Sequence, residues 1–158
     1  MPLEIERKFL VQDDSFKTKS FSHSHIVQGY ICSNEERTVR IRICDERAFI
    51  TIKGPTPEGG LHCYEFETEI LLDEGMQLMK LCEPGIIDKV RWLVKSGNHT
   101  FEVDEFFGDN EGLVMAEVEL SSPDEQPIIP HFIGKEVTGD RRYYNSQLRR
   151  NPYRLWKE

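Results

Sequence analysis

The chain has 158 residues, 38% hydrophobic and 30% charged, a composition typical of a globular protein that can bury its own core. Its 20 Lys and Arg against 28 Asp and Glu give a formal net charge of −8, which argues against partners that need a basic surface, such as nucleic acids and anionic membranes. No apolar run is long enough for a membrane-spanning helix, and the acidic start Met1–Glu4 is unlike a signal peptide. We therefore expect a cytoplasmic protein with neither membrane nor nucleic-acid partners.

Alternation of apolar and polar residues dominates the chain and predicts β-strands. In the first strand Leu3, Ile5 and Phe9 alternate with charged residues, and similar patterns follow along the chain. The eight predicted strands are Leu3–Phe9, His25–Cys32, Val39–Ile43, Ile50–Lys53, Tyr64–Ile70, Lys89–Val94, Phe101–Asp104 and Ala116–Leu120. The prediction is a mainly antiparallel β protein, in the α+β class because a few helices accompany the strands.

Three helices are predicted. A short one lies around Ser15–Ser20, and a second is capped by Asp73 and ends before Pro84. A third starts near Asp140 and carries apolar residues as far as Leu148. The three prolines of Ser121–Pro130 predict an irregular connection between the last strand and this helix.

The charged residues of the strands occupy every second position and are sorted by sign. The acidic sets are Glu4 and Glu6; Glu65, Glu67 and Glu69; Glu102 and Asp104; and Glu117 and Glu119. The basic sets are Lys8, Arg40 and Arg42, Lys53, and Lys89 and Arg91. One interpretation is a sandwich or barrel with an apolar interior and this charged phase in water.

A second interpretation places the charged phase inside a barrel. Solvated strands usually mix Thr, Ser and charges of both signs, because like charges opposite one another destabilise strand pairing. Inside an eight-stranded barrel, rows of Arg and Lys could bind a polyanion such as a chain of phosphates, and carboxylates could bind a hard divalent metal. Parity alone leaves both interpretations open.

The segment Leu3–Phe9 contains an ExExK signature and resembles the start of the CYTH superfamily, the triphosphate tunnel metalloenzymes. Eight further blocks follow in the order of that family: Gln28-Gly29-Tyr30, Thr38–Arg42, Thr51–Lys53, Tyr64–Glu67, Lys89–Trp92, Phe101–Phe106, Ala116–Glu119 and Gly134–Asp140. The sequence is most similar to the short bacterial members, some of which act as inorganic tripolyphosphatases.

The resemblance implies a single domain over residues 1–158, folded as a closed eight-stranded antiparallel β-barrel with flanking helices and charged residues inside. The apolar phase would then face outward. The helices, the tail or a second subunit would have to cover it, which allows a homodimer.

The resemblance also implies roles for individual residues. A divalent metal, Mg²⁺ or Mn²⁺, would be held by Glu4, Glu6, Glu117 and Glu119, with Asp104 as a further ligand. Phosphates would be bound by Lys8, Arg40, Arg42, Lys53, Lys89 and Arg91. The implied catalytic set is Glu4, Glu6, Lys8, Glu65 and Glu67, in which Glu65 and Glu67 would orient cations, assist a second metal or position water. Lys135 and Arg142 lie in the C-terminal block, either as phosphate ligands or as members of surface ion pairs.

The function that this resemblance implies is metal-dependent hydrolysis of a triphosphate, with inorganic tripolyphosphate the favoured substrate. A class IV-type adenylyl cyclase that makes cyclic AMP from ATP is one alternative. A non-catalytic polyphosphate or nucleotide binder is another, although binding a polyanion does not require so many carboxylates. Thiamine triphosphate and RNA are less favoured substrates, because the chain lacks extra segments for a larger leaving group.

Overall fold

The computed structural model describes residues 5–34, 36–55 and 64–156. Its strands are β1 (Ile5–Val11), β2 (Ser22–Ser33), β3 (Thr38–Cys44), β4 (Arg47–Lys53), β5 (Glu65–Ile70), β6 (Ile87–Ser96), β7 (His99–Phe107), β8 (Val114–Leu120) and β9 (Ile133–Glu136). The helices are α1 (Phe16–Lys19), α2 (Leu72–Met79) and α3 (Asn145–Leu148), with 3₁₀ turns at Gly108–Asn110, Arg141–Tyr143 and Tyr153–Leu155. None of the helices in these ranges is long and apolar enough to cross a membrane.

All nine strands belong to one sheet, in the order β5-β4-β3-β2-β6-β7-β8-β1-β9. Every pair of neighbouring strands is antiparallel, which confirms the prediction of a mainly antiparallel β protein. The sheet brings the two ends of the chain together, because β1 lies between β8 and β9.

The predicted closed barrel of eight strands is not confirmed. The ninth strand, β9, follows the irregular connection and pairs with β1 at only two positions, Phe9 with Glu136 and Val11 with Ile133. Within the described residues β5 and β9 are the two ends of the strand order and are not paired with each other, so the sheet is open. Four residues that include Gly134 give too short an alternation for the sequence to reveal this strand.

The apolar phase of the strands forms the main hydrophobic core. Phe101, Val103 and Val118 are at most 1% exposed, and Phe16 of α1 and Phe132 from the segment before β9 cover them. Phe16 packs edge-on against Trp92 and against the ring of Phe132. Because the helix and the loop bury this face, the charged phase lies on the opposite face of the same strands.

A second apolar cluster closes one end of the charged face. Phe106 and Met115 have the same parity as the charged residues of β7 and β8, but they are buried against Tyr143 and Leu148 of the C-terminal segment. The strand pairing places Asp104 opposite Met115, so the charged rows end here.

Two predicted helices differ in detail. Leu71, not Asp73, precedes α2, and Asp73 lies in its first turn, where a carboxylate interacts favourably with the helix dipole. The predicted C-terminal helix is divided into the 3₁₀ turn at Arg141–Tyr143 and the separate α3. Asp140 caps the turn by accepting a hydrogen bond from the backbone N–H of Arg142.

Candidate active site

The charged phase lines one cavity of about 290 Å³, called the charged cavity below. Its lining residues are Glu6, Lys8, Gln28, Tyr30, Arg40, Arg42, Lys53, Glu65, Lys89, Arg91, Glu102, Glu117, Glu119 and Asn145. Strands β1 to β8 all contribute, together with the first residue of α3. A sheet whose fifth and eighth strands line the same cavity is strongly curved, so the charged face is its concave face.

A basic wall on β3 and β4 consists of Arg40, Arg42 and Lys53. The Nε of Arg42 donates to the amide oxygen of Gln28 at 2.9 Å. Burial, together with repulsion from Arg40 and Arg91, lowers the pKa of Arg42 to about 10. The acceptor of this hydrogen bond is a neutral amide, which does not neutralise the positive charge of Arg42. A bound anion would do so.

Arg40 is only partly satisfied by its neighbours. One terminal nitrogen donates to the hydroxyl of Thr51 at 3.2 Å and lies 3.5 Å from a carboxylate oxygen of Glu67. Its Nε is buried with no hydrogen-bond partner in the described parts of the chain. A buried donor without a partner costs free energy, which an oxygen of a bound anion would recover.

Two further cations, Lys89 and Arg91 of β6, share the carboxylate of Asp104 on β7. Lys89 Nζ lies 2.9 Å from one oxygen of Asp104, and the Arg91 guanidinium binds both oxygens at 2.8 and 3.0 Å. The side chains of Lys89 and Asp104 are 1% and 4% exposed. The two-oxygen contact between Arg91 and Asp104 follows from the strand register, in which these two residues are directly opposite each other.

The two cations that share this carboxylate have pKa values shifted in opposite directions. Burial acts against all three charges, but its two cationic partners hold the pKa of Asp104 below its usual range. Burial is likewise outweighed at Arg91, whose pKa is raised by Asp104. Burial prevails at Lys89 and lowers its pKa to about 8. Of the two cations, Lys89 is thus the one that loses its proton more readily.

An acidic wall on β1 and β8 consists of Glu6, Glu117 and Glu119. Glu6 is paired with Glu119 in the strand register, and Lys8 with Glu117. Burial raises the pKa of Glu117, but a hydrogen bond with Glu6 and the charge of Lys8 outweigh it and lower the pKa overall. Lys8 Nζ is 3.2 Å from a Glu117 oxygen and 4.7 Å from the centre of the Tyr144 ring.

A larger, more open cavity of about 810 Å³ adjoins the acidic wall. Glu102 and Glu119 line both cavities, and the larger one also includes Leu93, His99 and Thr100. None of its lining residues belongs to the apolar cluster that closes the other end. Burial raises the pKa of Glu102 at the boundary.

Most residues singled out in the sequence lie in the charged cavity. These are Glu6, Lys8, Arg40, Arg42, Lys53, Glu65, Lys89, Arg91, Glu117 and Glu119. Glu67 lies beside the cavity, where it accepts a hydrogen bond from Thr51 at 2.6 Å, and Asp104 lies beneath Lys89 and Arg91 with its oxygens taken up by them. Glu4 lies outside the described residues.

Lys135 and Arg142 are not brought to the charged cavity. Lys135 is exposed on β9. Arg142 pairs with Asp140 at 2.7 Å, and its guanidinium lies 5.2 Å from the centre of the Trp156 ring. Arg142 is thus part of a surface ion pair.

The charged cavity also contains four residues that were not among the candidates. Glu102 belongs to the acidic set of β7, and Gln28 and Tyr30 alternate within the Gln28-Gly29-Tyr30 block, so parity could have identified all three. Asn145 is different, because it follows an irregular turn where no period predicts which way a side chain points.

Comparison with known proteins places this chain in a family. The model of the CYTH domain matches residues 2–146. The chain is 42% identical over 161 aligned residues to an inorganic triphosphatase of Acetivibrio thermocellus, covering 100% of both proteins. It is 34% identical to an inorganic triphosphatase of Nitrosomonas europaea over 92% of this chain and 95% of that protein. The chain belongs to the CYTH domain family, which confirms the resemblance seen in its motifs.

A solved structure supports the same conclusion for the fold. The crystal structure of an inorganic triphosphatase is similar with a TM-score of 0.71 and 30% identity, over 99% of this chain and 97% of that chain. The structural similarity therefore extends over almost the whole fold.

The carboxylate oxygens of the cavity are of the chemical type that a hard divalent metal ion prefers. Within residues 5–34, 36–55 and 64–156, however, no three or more His, Cys, Asp and Glu side chains are grouped so that they could hold a metal ion. The hydrogen bond between Glu6 and Glu117 brings two carboxyl groups together, an arrangement that a cation between them would relieve. Mg²⁺ is typically bound by one or two carboxylates with the remaining positions left to water and phosphate, which suits an acidic wall that faces a basic one.

Proposed function

We propose that this protein hydrolyses inorganic triphosphate in the charged cavity, in a reaction that depends on Mg²⁺ or Mn²⁺. The observation that carries the proposal is the division of one 290 Å³ cavity into a basic wall and an acidic wall. The curated relatives are named inorganic triphosphatases, and they match this chain over almost all of its length.

The cations bind and orient the substrate. Lys8, Arg40, Arg42, Lys53, Lys89 and Arg91 reach the cavity from four strands, so they can neutralise a chain of phosphates along its length. Arginine forks bind phosphate oxygens in pairs, whereas the lysines act as point charges. Glu67 orients Arg40, and Asp104 orients Lys89 and Arg91 rather than serving as a metal ligand.

The carboxylates of the acidic wall, Glu6, Glu117 and Glu119, hold the metal ion, with Glu4 as a further ligand. When bound, the ion supplies charge stabilisation to the phosphoryl oxygens. Glu65, which lines the cavity on β5, positions water near a phosphate. Positioning and charge stabilisation provide most of the acceleration in phosphoryl transfer, and these residues supply both.

The test is a substrate panel with identified products. Purified protein is incubated with inorganic triphosphate or with ATP, in Mg²⁺ and in Mn²⁺ separately, and the products are separated by chromatography. We expect pyrophosphate and phosphate from inorganic triphosphate, and a slower release of ADP and phosphate from ATP. Cyclic AMP and pyrophosphate as the main products from ATP would replace the hydrolase by a cyclase. Binding without turnover of any substrate would replace it by a polyphosphate-binding protein.

A further inference from the structure

A partly buried hydrogen-bond network connects the C-terminal segment to Lys89 on β6 and, through Gln28 on β2, to Arg42 on β3. Its centre is Asn145, the first residue of α3. The side-chain oxygen of Asn145 accepts a hydrogen bond from Lys89 Nζ at 3.0 Å and another from the amide nitrogen of Gln28 at 3.4 Å. All three side chains line the charged cavity.

The first branch of this network fixes the ammonium group of Lys89. Lysine carries three N–H donors on a flexible stem, so a single partner does not fix its direction. Asp104 accepts one donor at 2.9 Å and Asn145 accepts a second. The ring of Phe106, whose centre is 5.5 Å from Nζ, packs against the same group. The third donor is then directed by the other two.

The second branch fixes the orientation of Gln28 beneath Arg42. Gln28 is 1% exposed, and its amide can present either an oxygen or a nitrogen to Arg42. Because its nitrogen donates to Asn145, its oxygen faces Arg42 and accepts the Nε hydrogen bond at 2.9 Å. Asn145 thereby sets the acceptor that holds Arg42 without neutralising it.

The chemistry of Asn145 suits this task. A carboxylate at this position would pair with Lys89 and repel phosphate, and an alkyl group would leave the ammonium with Asp104 alone. The Asn145 side chain is also not needed to cap α3, because Tyr144 is the residue that precedes the helix.

We propose that Asn145 is a positioning residue that holds Lys89, and through Gln28 also Arg42, in the orientation that binds phosphate. The inference rests on the proposed function for the choice of inorganic triphosphate as the anion. It extends the binding machinery from the sheet to the C-terminal segment, beyond the blocks in which the sequence placed its candidates.

A double-mutant cycle tests this role. The dissociation constant of inorganic triphosphate is measured calorimetrically in EDTA for the unmodified protein, Asn145→Ala, Lys89→Met and the double variant. Gln147→Ala, on the same helix, is the matched control, and kcat and KM are measured in Mg²⁺. We expect Asn145→Ala to weaken binding about tenfold and to act mainly on KM, because it removes one acceptor from a charged donor. In the Lys89→Met background we expect the same change to weaken binding by about threefold or less, through Arg42 alone.

Two results would overturn the inference: a dissociation constant for Asn145→Ala equal to that of Gln147→Ala, or an equal loss of affinity in both backgrounds. Thermal unfolding of each variant shows whether it is folded, and Asn145→Leu, which keeps the size of the side chain but accepts no hydrogen bond, replaces Asn145→Ala if the latter is unstable. Binding in EDTA does not depend on catalysis. A protein that binds but does not hydrolyse triphosphate would therefore refute the proposed function while the cycle still decides the role of Asn145.

Discussion

Arg42 and Arg91 line the same cavity in opposite electrostatic settings. Arg91 is bound by both oxygens of Asp104, and its pKa is raised. Arg42 is bound by a neutral amide, and burial lowers its pKa to about 10. Arg91 is thus neutralised by a carboxylate of the protein itself, whereas the charge of Arg42 is left for a ligand to neutralise.

The same division extends along the sheet. On the β3 and β4 side, Arg40 has a buried nitrogen without a partner in the described residues, whereas on the β6 and β7 side Lys89 and Arg91 are paired before any substrate arrives. A buried donor without an acceptor is costly, so its presence at one wall indicates an anion site. The paired side supplies rigid geometry, and the basic wall supplies donors that their neighbours satisfy only in part.

The largest expected effect is at the acidic wall. Glu119→Gln removes one negative charge with little change of shape, and we expect kcat/KM to fall by about 10²-fold or more, because the metal ion provides much of the charge stabilisation. Steady-state hydrolysis of inorganic triphosphate in Mg²⁺ measures this loss. Glu111→Gln, at an exposed position before β8, is the control. Full activity of Glu119→Gln would remove the acidic wall from the mechanism.

The two arginines should respond differently to the same substitution. Arg42→Met should weaken triphosphate binding by roughly 10- to 100-fold while changing the free energy of unfolding by less than about 1 kcal/mol. Arg91→Met should also weaken binding, and it should lower the free energy of unfolding by about 2 kcal/mol because Asp104 keeps only Lys89. Calorimetry and urea unfolding measure the two quantities. Equal losses of unfolding free energy in Arg42→Met and Arg91→Met would contradict the proposed difference between the two arginines.

The alkaline limb of the pH profile should report Lys89. Its pKa of about 8 lies below the ordinary lysine value of 10.5, so it loses its charge as the pH rises through 8 and phosphate binding weakens. We expect kcat/KM to fall by up to about tenfold per pH unit above that point. The folded state binds fewer protons than the unfolded state between these values, so the contribution of Lys89 to stability rises there. The loss of activity above pH 8 would therefore not be caused by unfolding through Lys89.

Replacing Lys89 by arginine is the matched test of that assignment. Arginine stays protonated throughout this range, so Lys89→Arg should move the alkaline limb upward in pH even if its absolute activity is lower. If the alkaline fall in kcat/KM stays at the same pH in Lys89→Arg, it is caused by the titration of a different group.

The ligand should also stabilise the folded protein against heat. Triphosphate at 100 times its dissociation constant stabilises the folded state by about 2.7 kcal/mol, which corresponds to an increase in Tm of roughly 5 to 10 °C for a chain of this size. The measurement is thermal unfolding in EDTA, with and without inorganic triphosphate. The increase should be smaller for Arg42→Met, whereas Arg47→Met, at an exposed pair with Glu69, should behave like the unmodified protein.

Parity explains how much of the site the sequence could predict. Arg40 and Arg42 point to one face and Ile41 to the other because side chains alternate in a strand, and this holds for every strand that lines the cavity. Parity does not reveal partners, however. Asp104 was expected to bind metal, but the register places it opposite Arg91, and no local pattern determines that pairing.

The C-terminal segment could not be predicted in the same way. Strand β9 has four residues, and Asn145 follows a 3₁₀ turn, so neither belongs to a periodic stretch. The segment around Asn145 is held by packing of Tyr143 and Leu148 against Phe106 and Met115, two apolar residues in the charged phase, whereas β9 packs through Ile133 into the main core. Such long-range contacts decide where an irregular segment lies, and the sequence of the segment alone does not encode them.

The central claim is that one wall binds phosphate and the other binds metal, and calorimetry of inorganic triphosphate binding to three proteins tests it directly. The unmodified protein, Arg42→Met and Glu119→Gln are titrated in EDTA and again in Mg²⁺. In EDTA, Arg42→Met should bind at least about tenfold more weakly than the unmodified protein, and Glu119→Gln should bind as tightly or more tightly. Mg²⁺ should tighten binding to the unmodified protein more than to Glu119→Gln. Unchanged affinity in Arg42→Met, or an equal loss in both variants without metal, would contradict the account.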